Sequence, residues 1–344
     1  MRKLLLKLNF AAIFISLFTL QSCNKSKSND ASNSAVTVEK HNGNEVFSKI
    51  MTVANISMNA DGKTADVMFL QNAQVFKVEN ETMLAILKDA YTKKTNVSVS
   101  FDPFEAVVVD VVLANAVETA GLNRQILNSE VGKTLNYSDI DFSTIDKAEG
   151  LSVINTTSGT LTNVIPDMAT AQLMFNYITT QCCVTGAPYS VNCISFKYAR
   201  DGCYARAHVM CRTLNNKYNY ATHKIFSFAN SGSDRLSVKA NKWGGCCVTW
   251  WYHVAPLVNI KTPSGTMAYV FDPSMFNQPV LLSTWLHAQE SPSCSSTPHV
   301  SMISLQPTTA YSPASYSGTS FDTDPFYYDS NSTLLSYHNR TTCP

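Results

Sequence analysis

A cysteine, a histidine and an aspartate in three separate segments carry the chemistry this sequence offers. Cys203 lies in Asp201-Gly202-Cys203-Tyr204-Ala205-Arg206-Ala207-His208. Asp201 is a good N-cap residue, and the helix it would start sets Ala207, Met210, Cys211 and Leu214 on one buried stripe. Cys203 falls on that stripe, so its thiol is expected in the first turn, facing the protein body. There the helix dipole and free N–H groups should lower the thiol pKa and hold an oxyanion. A disulfide or an inert buried thiol is the alternative that position alone leaves open. His253 sits in Cys246 to Ile260, an apolar, aromatic and β-branched run that reads as one strand. A lone histidine there is more often structural. Asp272 follows Met267 to Phe271, which reads as the returning strand, with Lys261 to Thr266 as the turn. If that turn centres between Pro263 and Ser264, opposed residue numbers sum to about 527, and Asp272 lies on the face of His253 within diagonal reach. A bulge at Pro256 would shift the register by one and separate them. An acid beside an imidazole is what a cysteine hydrolase needs: the carboxylate orients the ring, the ring takes the thiol proton, and the thiolate attacks.

The elements that must position these residues fall in the second half of a 344-residue chain. The formal net charge is +1 and only 15% of residues are charged, with no long basic or acidic run, which gives no reason to expect nucleic acid. Residues 1–22 read as an export signal: a cationic start, an apolar Phe10 to Leu20 too short to span a bilayer, then Leu20-Gln21-Ser22-Cys23, which is similar to a lipobox. Cys23 would be lipidated, the polar residues 23–35 would form a tether, and the membrane would be met only through that anchor. Plain secretion is the alternative. The nine other cysteines all lie beyond residue 180. Cys182, Cys183, Cys193, Cys246, Cys247, Cys294 and Cys343 are disulfide candidates, and the odd total implies at least one free thiol. Adjacent pairs such as Cys182-Cys183 and Cys246-Cys247 do not converge on one ion, so no metal is expected.

Residues 36–150 read as a small α+β unit, with strands over Val46 to Ile56 and Thr64 to Leu70, a turn at Asp61-Gly62 and a helix over Glu81 to Lys93. Phe104 to Val117 is strand or helix. Residues 151–160 are small and polar and read as a cleavable linker. Residues 161–344 form a second unit that opens with a helix to about Thr180. Its tail beyond Ser291 reads as loops and short strands.

The three motifs together, Asp201 to His208, Cys246-Cys247-Val248 through Tyr252-His253-Val254-Ala255, and Asp272-Pro273-Ser274, resemble the bacterial protein-glutaminases over about residues 161–290. Leu161 to Asp167 resembles the start of their mature enzyme. The resemblance implies an α+β chain: a pro-domain at 36–150, then a papain-like, transglutaminase-like catalytic domain at 161–344, with an antiparallel sheet and the nucleophile at a helix N-terminus. It implies hydrolysis of the side-chain amide of protein-bound glutamine through Cys203, His253 and Asp272, with no metal or organic cofactor. It also implies a pro-domain that inhibits until a protease cuts the linker. Partners would be glutamine-bearing proteins or peptides and that protease, and the chain is expected to act as a monomer. Trp250, Trp251 and Tyr252 are candidates to shape the substrate cleft, with core packing as the plainer role. A transglutaminase or thiol peptidase using the same triad is the first alternative. A surface-binding lipoprotein without catalysis is the second.

Overall fold

The computed structural model describes residues 40–115, 126–128, 133–148, 161–188, 190, 193–229 and 234–343. The export signal, Cys23, the tether at 23–35 and the cleavable linker at 151–160 lie outside the described residues. The fold is α+β, built as two cores. The first is a closed five-stranded barrel of β1 (Phe47–Met58), β2 (Ala65–Phe69), β3 (Asn72–Val78), β4 (Asn96–Asp102) and β5 (Val107–Leu113), in the order β1-β2-β3-β5-β4. Helix α1 (Glu81–Lys93) covers it, burying Leu84, Leu87 and Ala90 against Val97, Val99, Phe76 and Phe101. Asn80 starts that helix by accepting the N–H groups of Thr82 and Met83, and Lys94 ends it in the left-handed conformation (φ 56). The expected Phe104–Val117 element is a strand, because β5 closes the barrel and its Val-rich run suits a pleated surface.

Two short strands follow, β6 (Ile126–Asn128) and β7 (Lys133–Asn136), and both pair with the second unit rather than the barrel. That unit contains α2 (Met168–Thr180), α3 (Cys203–Tyr218), β8 (His223–Phe228), β9 (Leu236–Lys239), β10 (Cys247–Trp250), β11 (Tyr252–Thr262), β12 (Gly265–Val270), β13 (Val280–Leu281) and α4 (Leu282–His287). It ends with β14 (Met302–Pro307), β15 (Ala310–Pro313), β16 (Ser320–Thr323) and α5 (Tyr328–Tyr337). The main sheet is antiparallel in the order β13-β12-β11-β8-β14-β7. Its centre, β11, is flanked by β8 and β12 and packs against α3. The tail holds a helix that its Ser-rich sequence gave no period to reveal, α5, which packs on α3 and buries Leu334 and Tyr337. Disulfides Cys183–Cys193, Cys246–Cys343 and Cys247–Cys294 staple this unit, and Cys182 is disulfide-bonded as well. The adjacent Cys246 and Cys247 thus tie the entry of β10 to two distant segments.

The β11–β12 hairpin has the expected register, with Leu257 opposite Val270 and Thr262 opposite Gly265. Pro256 introduces no bulge; it stays paired with Lys224 on β8. Its carbonyl accepts from the Phe271 N–H (3.0 Å), but proline has no N–H to return. The ladder with β12 stops there, and the chain leaves the sheet at Asp272. The expected single strand over Cys246–Ile260 is instead two strands in different sheets, broken at Trp251. The Trp251 carbonyl accepts from Ala229 N–H (2.8 Å), while its own N–H donates to Ala73 of the first unit (2.9 Å), so this residue serves a contact between units instead of either ladder.

Candidate active site

Helix α3 begins at Cys203, which is 1% exposed and carries a free thiol. Gly202, not Asp201, occupies the cap position, with φ +77 and ψ 13. A Cβ at Gly202 would lie 3.1 Å from the Tyr337 ring and 3.4 Å from Arg206 Nη1, so both conformation and space require glycine. The Asp201 side chain does not cap the helix. It is fully buried and accepts from Ala73 N–H (2.9 Å), Tyr337 OH (2.7 Å) and Tyr204 OH (3.1 Å). The buried Arg206 guanidinium holds the preceding loop by donating to the carbonyls of Tyr198 (2.7 Å) and Asp201 (2.6 Å).

His253 projects from β11, where it is paired with Ser227 of β8. Its ring lies between two indoles: Trp250 stacks at 4.4 Å and 9°, and Trp285 of α4 lies at 5.4 Å and 25°. Asp272 Oδ2 meets His253 Nε2 at 2.7 Å and also accepts the Trp285 indole N–H at 3.0 Å. Asp272 Oδ1 accepts Ser274 N–H at 3.1 Å. An ionised carboxylate only accepts, so the shared hydrogen is assigned to Nε2. His253 Nδ1 is buried and has no hydrogen-bond partner among the described residues. Burial alone would raise the Asp272 carboxyl. The His253 charge and hydrogen bond, the Trp285 N–H and the Arg206 charge outweigh it and hold the group at about 2. The Cys203 thiol does not have the lowered pKa expected of a helix N-terminus. Burial pushes it up, and the opposing pull of Arg206 and of the Val254 N–H does not compensate. Desolvation of a thiolate outweighs a partial helix charge when water is excluded from the site.

The first unit packs directly against these residues. The end of the β2–β3 hairpin inserts beside the motif residues, with the first two residues of β3, Asn72 and Ala73, fully buried. Ala73 is held at both backbone groups, its N–H by Asp201 and its carbonyl by Trp251 N–H. Trp251 Nε1 donates to the carbonyls of Asn72 (2.7 Å) and Phe69 (3.2 Å), and Tyr204 OH donates to Gln71 O (2.9 Å). Ala73 belongs to the same apolar cluster as Cys203, Tyr204, Trp250 and Trp251. Arg235 to Asp66 (2.5 Å) and Arg340 to Glu45 are ion pairs between the units. Of the three aromatics singled out in sequence, Trp250 covers the imidazole, Trp251 grips the inserted turn, and Tyr252 packs among Phe226, Phe228 and Tyr204. Sequence reasoning missed Asp201 as a backbone acceptor, Arg206, and Trp285. Asp201 and Arg206 lie within the quoted motif, whereas Trp285 carries no local signal. Among the described residues His41, Asp102 and Glu105 could together face an ion, but Asp102 already accepts from Asn44 and from the N–H groups of Phe104 and Glu105.

A protein-family profile described as Glutaminase matches residues 171–289, a span that contains Cys203, His253 and Asp272. A crystal structure of pro-protein-glutaminase is 27% identical, with a TM-score of 0.61, and the match covers 86% of this chain and 93% of that one. The A47Q2 mutant of pro-protein-glutaminase matches with the same identity and TM-score over 86% and 94%. A crystal structure of protein-glutaminase is 37% identical over 53% of this chain and 93% of that one, with a TM-score of 0.46. No curated protein matches the chain.

Proposed function

Because the chain belongs to the protein-glutaminase family and is a protein-glutamine deamidase precursor, we propose that Cys203, His253 and Asp272 carry out the hydrolysis and that the barrel unit holds the enzyme inactive until it is removed. The supporting observation is the imidazole fixed by Asp272 at 2.7 Å with Nδ1 left without a partner. His253 Nδ1 takes the Cys203 proton, and the sulfur attacks the side-chain amide carbon of glutamine. The C–N bond breaks as the imidazolium gives its proton to the leaving ammonia, leaving a thioester on Cys203. Water then attacks the thioester with His253 as base, and glutamate and the thiol are regenerated. Asp272 stays ionised and keeps the tautomer. Backbone N–H groups at the start of α3 would serve as preorganised donors for the oxyanion.

Inhibition follows from Ala73. Its N–H and carbonyl take the contacts, from Asp201 and Trp251, that the main chain of a protein-bound glutamine would take. Its methyl is too short to present an amide, so the cleft is filled without being turned over. The same two contacts suit an internal residue of a chain, which has both an amide N–H and a carbonyl. Export and a lipid anchor at Cys23 are proposed from the sequence alone; the disulfides suit an oxidising compartment. The activating protease and a monomeric state are likewise part of this reading. The test is ammonia release from casein, without added amine, by chain cut within residues 151–160 and freed of its first unit, beside a Cys203→Ala twin. Release by the first alone supports the reading. Equal release by both removes Cys203 from the chemistry, and amine incorporation or new chain ends instead would favour the transglutaminase or peptidase.

A further inference from the structure

The polypeptide just before the expected cut is woven into the catalytic unit at both edges of its main sheet. On one edge β7 adds to β14, with Asn136 opposite Met302 and Lys133 opposite Leu305. Thr134 Oγ1 and Ser304 Oγ lie 2.8 Å apart, and Tyr137 N–H donates to Ser301 O (2.7 Å). The chain then passes to the far edge. Tyr137, Phe142 and His287 form a run of ring contacts (5.2 and 4.9 Å), and Tyr137 OH donates to Glu290 (3.0 Å). Ile140 and Ile145 are buried in the catalytic core cluster. At the other side of the sheet β13 pairs only with Tyr269 and Val270, and on the open remainder of β12 Ala268 N–H donates to Asp146 O (2.7 Å) and Ala148 N–H to Thr266 O (3.1 Å). The Asp146 carboxylate accepts from the N–H (2.8 Å) and hydroxyl (2.6 Å) of Ser283 in α4. β6 adds a third contact, to β16. Beyond the expected cut the chain is anchored again, with Ile165 N–H donating to Asn259 O and Lys261 N–H to Ile165 O, each 2.9 Å or shorter.

We propose that cutting the linker does not release the first unit. The two sheet edges form a strand-accepting surface whose occupant is residues 133–148 of the severed chain, held as a non-covalent partner. The bonds on both edges are backbone ladders and buried side chains that a cut at 151–160 leaves intact. The inserted hairpin end at Ala73 and this strap sit on one fragment, so each keeps the other at high local concentration. Activation then takes two events, the cut and a further loss of the strap by proteolysis or displacement.

The test inserts a specific protease sequence within residues 151–160 of the full chain, cuts it to completion, and runs gel filtration with a denaturing gel of the peak. The activity arm rests on the inhibitory reading above, while the elution arm does not. The expected result is one peak containing both fragments, with ammonia release far below that reached once the first fragment is digested away. Ile145→Asp should let the fragments part after the cut. Asp146→Ala, which removes only the grip on Ser283, should speed their separation at least about tenfold without threatening the fold. Separate wild-type peaks straight after cutting would overturn the proposal, as would Asp146→Ala and Ile145→Asp fragments that part no faster than wild type. Co-eluting fragments with full activity would leave the retained strap standing and refute inhibition by the first unit.

Discussion

The imidazole of His253 is fixed from four directions, by Asp272, by the strand beneath it and by the indoles of Trp250 and Trp285. Asn in place of Asp272 keeps the size but can present its NH2 to the ring and select the wrong tautomer. Asp272→Asn should therefore lower kcat by roughly 10³–10⁴-fold with an unchanged circular dichroism spectrum; a variant within a factor of a few of wild type would place the orienting acid elsewhere. Trp250 is fully buried, and its indole N–H donates to the carbonyls of Ala199 and Arg200, both at 3.0 Å. Trp250→Ala opens a cavity and orphans two carbonyls, so it should cost about 3–5 kcal/mol in urea unfolding; a cost under about 1 kcal/mol would mean the site collapses to fill the space. At this scale Cys203, His253 and Asp272 stood out because each can carry chemistry and each sits in a distinct motif. Asp201 and Trp285 were not legible as site residues, because their partners, Ala73 and Asp272, come from other parts of the chain.

Among the elements, the β11–β12 hairpin was legible down to its register, since Pro263 and Gly265 mark the turn and a turn fixes every rung beyond it. The break at Trp251 was not, because what breaks the strand is a hydrogen bond to Ala73, far away in sequence. Helix α3 brings with it a second buried polar pair. Lys224 of β8 donates to His208 Nδ1 (2.7 Å) and to Ala310 O, while His208 Nε2 bonds Asp324 O (2.9 Å). Burial first, then the Lys224 charge, pushes His208 down to about 2. The folded protein thus refuses a proton that the unfolded chain binds below its ordinary 6.5. The stability this group contributes is full above that value and is lost as pH falls from there toward about 2. Urea midpoints should drop between about pH 7 and about pH 5, and the drop should be shallower in His208→Gln, whatever that variant's own stability. Equal slopes in the two proteins would show that His208 titrates normally when folded.

The whole molecule is two cores joined by an inserted turn and a strap. Composition set the cysteine-free first half apart, and alternation and turn residues marked two of its strands; the closed barrel was not legible, because β3, β4 and β5 join it through pairings distant in sequence. The strap was not, because Lys133–Asn136 is a short polar stretch whose order comes from the sheet edge it joins. Blocking by the inserted turn can be weakened without any cut. Ala73 has no exposed surface and stands in packed surroundings, so Ala73→Trp should overpack the interface by about 1–3 kcal/mol and raise ammonia release by uncut chain about tenfold or more. Activity as low as wild type in a folded variant would show that the turn does not block the cleft.

The most direct test of the central claim is to catch the intermediate. Processed enzyme is mixed with a glutamine-containing peptide, acid-quenched within its first turnover, and its peptides weighed. The account predicts a fraction of enzyme carrying the peptide's mass less one ammonia, located on the fragment bearing Cys203, removed by hydroxylamine, and missing from Cys203→Ser. Ammonia release at full rate with no such adduct, or an adduct on another residue, would contradict it.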